Sequence, residues 1–313
     1  MQISQVLEQM LVLMLLLSVG FVTAKLGITD HNSNRMLSNI ITNLLMPAMI
    51  IASSMNIDSP LSPGEVFRII GLAFIPYLII GTIAFFVPLI IKAPPETSGT
   101  IRFVSMFANV TFMGFPIISA LFGQEGLFLN MLLNIPFQFL CYTLGISLMK
   151  GSEHKKHARN TAFLGQVKSI FTAPFAASLI AVAVFILDPP IHPVIFSTVS
   201  MLGNGTVPLA MIIIGTSLAG MNAKDTLGDW RIYLIAFIKL IVSPVVIRLL
   251  MGLFISDILI LDILTVLTAM PVATNATMLA IQFGGNESLA SKSVFLTTVL
   301  SSVTIPLIIH ILL

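Results

Sequence analysis

Charge is what this chain has least of: 9% of its 313 residues are Asp, Glu, Lys or Arg, where a soluble domain carries about 25%. With 57% hydrophobic residues, that scarcity excludes a soluble globular protein and leaves an integral membrane protein. Cysteine is nearly absent as well. The single Cys141 excludes an internal disulfide framework and any cysteine metal cluster. Acids are missing from the middle of every apolar run, which disfavours a carboxylate-based sodium or proton site. Of the histidines, His31, His154, His157 and His192 fall in connections and His310 near a chain end. No nucleophile, base and acid cluster appears, so no catalytic residue, metal or cofactor is assigned and an enzyme is not expected. No basic patch suits a nucleic-acid partner.

What remains is long apolar runs. At about 20 residues per membrane helix, the chain divides into spans near Val6–Ala24, Met36–Met55, Val66–Ile91, Ile101–Phe122, Leu127–Met149, Gly165–Leu187, Val194–Leu218, Ile232–Phe254, Ile258–Phe283 and Ser288–Leu312. Met1–Met10 has no Lys or Arg and no small-residue cleavage site follows it, so the first run reads as a span rather than a removable signal. Twelve of the fifteen bases lie in or beside odd-numbered connections, the basic stretch Lys150–Lys168 among them. Cytoplasmic loops hold such an excess, so both termini are expected outside a multi-pass protein of the plasma or inner membrane.

The run Ile101–Glu125 is interrupted where a spanning helix should be intact. Asn109, Thr111, Gly114 and Pro116 fall near its middle; proline removes a backbone donor and clashes with the preceding turn. A second interruption, Pro271 to Thr277 with Asn275 inside it, falls in the ninth run. Freed backbone groups at membrane depth are tolerated only inside protein or along a cavity, so paired breaks point to a polar site. Half-helix N-termini suit a carboxylate without a full positive charge, and the Asn109 and Asn275 amides can donate to it. The pattern also repeats. Pro47 and Pro208 head similar segments 161 residues apart, and Phe122-Gly123 recurs as Phe283-Gly284 at the same shift. Each half holds an odd number of spans, so the second half enters from the opposite side. The expected domains are 1–150 as a first five-helix repeat, 151–164 as a cytoplasmic linker and 165–313 as a second, inverted repeat, an arrangement typical of secondary transporters.

The segments NVTFMGFPIISALFGQEGL, AMPVATNATMLAIQFGGNESLA and VFLTTVLSSVTIPLI resemble the auxin efflux carrier family, in its short bacterial branch that includes malate-type organic acid permeases. The resemblance covers essentially the whole chain. It implies an all-α fold of ten helices in two inverted halves, with a scaffold domain from spans one, two, six and seven and a transport domain from the other six. It also implies a substrate site where spans four and nine cross, carried by Asn109, Pro116, Pro271 and Asn275. Lys150–Lys168 is short, so the phosphorylated loop of the plant members has no counterpart here.

Other polar residues extend the candidate site. Thr111, Gly114 and Thr277 flank the breaks; Asn134, Gln138 and Tyr142 share one face of the fifth span at spacing four; Asn43 precedes Pro47 by one turn. The three fifth-span residues also read as interhelical hydrogen-bond glue, and the reading of Asn43 is as open. The hydroxyls at Thr297, Thr298, Ser301, Ser302 and Thr304 read as packing residues. Lys239 lies too deep in its span for easy snorkelling; it is a coupling candidate that can neutralise a bound anion, or a partner of helix-terminal carbonyls. The expected function is a secondary transporter moving a small organic anion such as a carboxylate by alternating access, in an elevator-type mechanism. Its partners are that anion and the bilayer, with a homodimer left open. The alternatives are a sodium-coupled solute symporter of similar fold, a channel or a membrane receptor.

Overall fold

A computed structural model describes residues 3–55, 61–149, 171–220 and 229–313. The basic stretch Lys150–Lys168, the linker 151–164, Lys224 and Met1 lie outside them. Among the described residues every regular element is helical, and the one strand-like feature is an isolated antiparallel bridge between Ala108 and Val272.

Among the described residues, six helices are long and apolar enough to cross a membrane: Ser33–Ser54, Pro63–Ile90, Val110–Met149, Pro193–Gly220, Trp230–Met251 and Glu287–Leu312. Three shorter apolar helices are Leu11–Lys25, Ala173–Leu187 and Ile258–Ala269. Val110–Met149 is kinked at Gly123 (φ 64°, ψ −151°), a non-helical residue that divides it between the runs expected as spans four and five. A left-handed φ costs glycine little and other residues much, so the kink is fixed by that residue.

The chain divides into two compact units. The first comprises Met1–Ile70, Thr111–Ile135 and Phe171–Met221. Its closest packing is the helix Ile3–Lys25 along Thr206–Gly220. Gly20 and Gly215 allow it: a Cβ on either would stand 2.0 Å from the Ile212 carbonyl or 1.9 Å from that of Leu17. Small residues let membrane helices approach in this way. Lys25 caps the far end by donating to the Ala219 carbonyl at 3.2 Å, a cation at a helix C-terminus. The helices Ala173–Leu187 and Pro193–Asn204 both pack on Met46–Ser54.

The second unit comprises Gly71–Val110, Pro136–Ile170 and Asn222–Leu313. Its core is aromatic around Phe107, whose ring lies 4.8 Å from Phe103, 6.0 Å from Phe137 and 6.4 Å from Tyr77. The helix Glu287–Leu312 packs on Pro95–Met106, Trp230–Phe237, Ile258–Ala269 and Ala276–Phe283. Both interrupted strands of backbone around the Ala108–Val272 bridge belong to this unit.

Candidate functional site

Two helices end short of each other's breaks. Pro95–Met106 stops at Phe107, which is extended, and Ile258–Ala269 stops at Met270, also extended. The backbone groups released there pair with one another. The Asn109 N–H donates to the Pro271 carbonyl at 2.7 Å, and the Ala273 N–H donates to the Phe107 carbonyl at 3.1 Å. These reciprocal bonds flank the Ala108–Val272 bridge and fasten the two breaks together. Buried backbone donors must find partners, and two more do. Val110 donates to the Ala108 carbonyl at 2.9 Å, and Val272 donates to the hydroxyl of Thr297 at 3.1 Å. Thr297, read from sequence as a packing residue, is a backbone partner here; its own hydroxyl donates to the Ser293 carbonyl at 2.6 Å. A hydroxyl within an apolar span was the available signal.

Chain direction resumes as helix beyond each break. Ala276–Phe283 begins after Asn275, and the π-turn Val110–Gly114 leads into Phe115–Leu140. The leading N–H groups of a helix have no carbonyl one turn back, and the macrodipole places partial positive charge on them. That chemistry favours an anion.

The expected site residues fall as follows. Asn109 is buried within the bridge. Pro271 supplies its carbonyl to Asn109 and has no N–H to satisfy. Asn275 is half-buried; its Nδ2 donates to Cys141 Sγ at 3.8 Å, while its Oδ1 is enclosed with no hydrogen-bond partner. Thr277 is half-buried in the first turn after the break, and Gln138 is buried. All five belong to the second unit. Thr111, Gly114, Pro116, Asn134 and Asn43 belong to the first. Pro116 is buried just beyond the π-turn Val110–Gly114, within the helical run that this turn opens, and the extended backbone lies upstream of it at Phe107–Asn109. Asn43 is exposed and donates to the Asn39 carbonyl of its own helix at 3.0 Å. Asn134 is buried with an unpartnered Oδ1, and Asn130, one turn earlier, is wholly buried with both amide atoms unpartnered. Asn130 was missed; extending the spacing-four series back from Asn134 finds it.

Lys239 sits in the π-turn Ile238–Val242 at 0% exposure. Its Nζ reaches the Met106 carbonyl over 3.5 Å, at the C-terminal end of the first interrupted helix. Arg248 and Asp262 form an ion pair between Ser243–Met251 and Ile258–Ala269.

The first unit also encloses a cavity of about 220 Å³ beside the Gly123 kink, lined with Ser119, Gln124, Ser200 and Asn204 among apolar neighbours.

Known proteins place this geometry. An uncharacterized transporter of Methanocaldococcus jannaschii is 27% identical over 312 residues, covering 96% of this chain and 97% of that one. An uncharacterized transporter of Methanothermobacter thermautotrophicus is 26% identical over 308 residues, with 96% of each chain covered. A Rhizobium meliloti protein named "Putative malonate transporter" is 24% identical over 299 residues, covering 93% of this chain and 90% of that one. A family profile described as membrane transport protein matches residues 5–309. The apolar helices, the broken pair and that near-complete match agree: the chain belongs to the membrane transport protein family, the auxin efflux carrier family that its broken-helix segments resemble, and is a transporter rather than an enzyme.

Proposed function

We propose that this protein is a secondary transporter that carries a small organic anion, a carboxylate, across the membrane by alternating access. The observation that carries the reading is the fastening of two helix breaks by reciprocal backbone bonds, Asn109 to Pro271 and Ala273 to Phe107. Discontinuous helices meeting in this way mark the substrate sites of secondary transporters. The carboxylate lies against the N-terminus of Ala276–Phe283 and the Asn109 amide, with Asn275, Thr277 and Gln138 beside it and the Lys239 ammonium as its counter-charge. The similarity to a protein named for malonate supports the anion class.

The proposed architecture has ten spans in two inverted halves, 1–150 and 165–313, with both termini outside the plasma or inner membrane. Among the described residues, six long apolar helices, three shorter ones and the division of Val110–Met149 at Gly123 support that reading. In an elevator cycle the unit holding the crossover moves as a body and takes the anion with it.

Counterflow in proteoliposomes tests this reading. Vesicles preloaded with one mono- or dicarboxylate of a panel that includes malonate should accumulate the labelled acid faster than empty vesicles. Uptake unaffected by preloading for every acid, or single-channel currents, would contradict it.

A further inference from the structure

The Lys239 ammonium is bonded far below its capacity. It has three donors, yet among the described residues it makes one hydrogen bond, to the Met106 carbonyl at the long distance of 3.5 Å. No carboxylate pairs with it among the described residues. The π-turn that carries it packs against Pro95–Met106, Ile258–Ala269 and Glu287–Leu312. The buried polar side chains of those three helices are hydroxyls, from Thr100 and Ser105 through Thr265 and Thr268 to Ser293 and Thr297, and the Ser105 and Ser293 hydroxyls lack partners. Their acids are elsewhere, Glu96 and Glu287 in first turns and Asp262 held by Arg248, while their bases are Arg102, which stacks over the Phe85 ring, and Lys292 near the start of Glu287–Leu312.

An ion withdrawn from water in this way is costly unless compensated. The compensation visible here is the end of a helix. Met106 closes Pro95–Met106, and the Val110 N–H that would ordinarily bond its carbonyl is turned to Ala108 instead. A bare terminal carbonyl at the negative end of a helix dipole attracts a cation, and Lys239 fills that place from a neighbouring helix. A dissolved sodium ion would meet the same electrostatic need.

Building on the organic-anion reading, we propose that Lys239 is a covalently tethered cation of the crossover, so that anion binding requires no sodium or other added cation. The second interrupted helix has no lysine or arginine in Ile258–Ala269 or in the extended segment after it, so its end carries no counterpart of Lys239 from its own sequence.

The test replaces the tether. Lys239→Ala removes three methylenes and the amine, a volume and charge that n-propylammonium restores; Lys239→Met fills the volume without charge. Melting of purified wild-type protein should be the same in sodium and choline chloride and indifferent to propylammonium. Lys239→Ala should melt lower and recover part of the loss with propylammonium, while Lys239→Met should not respond. Wild-type malonate affinity should be equal in sodium and choline, at least about tenfold weaker in Lys239→Ala, and raised again by propylammonium. Should Lys239→Ala fail to fold, the sodium-for-choline exchange on wild-type protein and the Lys239→Met affinity decide. Malonate binding that needs sodium, or a Lys239→Ala protein blind to propylammonium, overturns the tethered cation while leaving the anion reading standing. Rescue of melting without malonate binding to any variant does the reverse.

Discussion

The Asn109 N–H and the Pro271 carbonyl meet at 2.7 Å, joining two segments far apart in sequence. Each residue solves the other's problem. Asn109 has left the helix that would have accepted its N–H, and Pro271 stands where a helix has ended and its carbonyl is free. A break in one helix alone would leave both groups bare in an apolar medium, where each unsatisfied group costs several kcal/mol. The two breaks therefore stabilise one another.

Thr297 completes that arrangement by accepting from the Val272 N–H. Thr297→Val keeps the shape and removes the acceptor, leaving a buried donor unpaired at a cost of about 1–3 kcal/mol. Thermal melts in detergent should show the loss, and Thr297→Ser should recover most of it. A Thr297→Val protein as stable as wild type would mean that Val272 finds another partner.

The two prolines should behave differently. Pro271 lies in the extended pairing segment, and an alanine there adds an N–H in a buried place with no acceptor assigned to it. Transport by Pro271→Ala should fall severalfold. Pro116 follows the π-turn Val110–Gly114 in a helical run, where alanine adds an N–H that a carbonyl of the preceding turn can accept, so Pro116→Ala should keep near-normal transport and shift stability by less than about 1 kcal/mol. Uptake assays on both variants decide it.

These contrasts show what sequence carried and what it did not. The membrane helices and both interruptions were legible, because apolar runs and prolines act locally. The position of the first break was not: Pro116 looks like a helix breaker, but it lies within the helical run that the π-turn Val110–Gly114 opens, and the extended backbone is at Phe107–Asn109. Asn43, one turn before Pro47, lies in the π-turn Ile41–Leu45 and is exposed, and its amide donates within its own helix. Thr297 was hidden for another reason. Whether a hydroxyl packs or accepts a bond is set by which backbone arrives beside it, and Val272 arrives from another helix.

Arg248 and Asp262 tie two neighbouring helices of the second unit. Arg248→Met and Asp262→Leu should each destabilise by about 1–3 kcal/mol, since either leaves a half-buried charge without its partner, and the double variant should lose less than the sum. A double-mutant cycle on melting temperature measures the coupling. A coupling energy of zero would show the pair to be incidental.

Orientation can be read with thiol labelling. Cys141 is wholly buried and is a silent background, so cysteines introduced at Ser152 and Asp188 report alone. An impermeant reagent on intact cells should modify Asp188→Cys and spare Ser152→Cys until the membrane is opened. The opposite order would invert the proposed topology.

The central claim is that a carboxylate binds at the Asn109–Pro271 crossover, and equilibrium binding of malonate to purified wild-type and Asn109→Ala protein tests it most directly. The backbone bond to Pro271 survives that substitution, so the variant should insert and melt near wild type. The lost amide removes a hydrogen bond to a charged group worth roughly 1.5–3 kcal/mol, which predicts an affinity at least about tenfold lower. Equal malonate affinity in the two proteins would contradict the account and move the site away from Asn109.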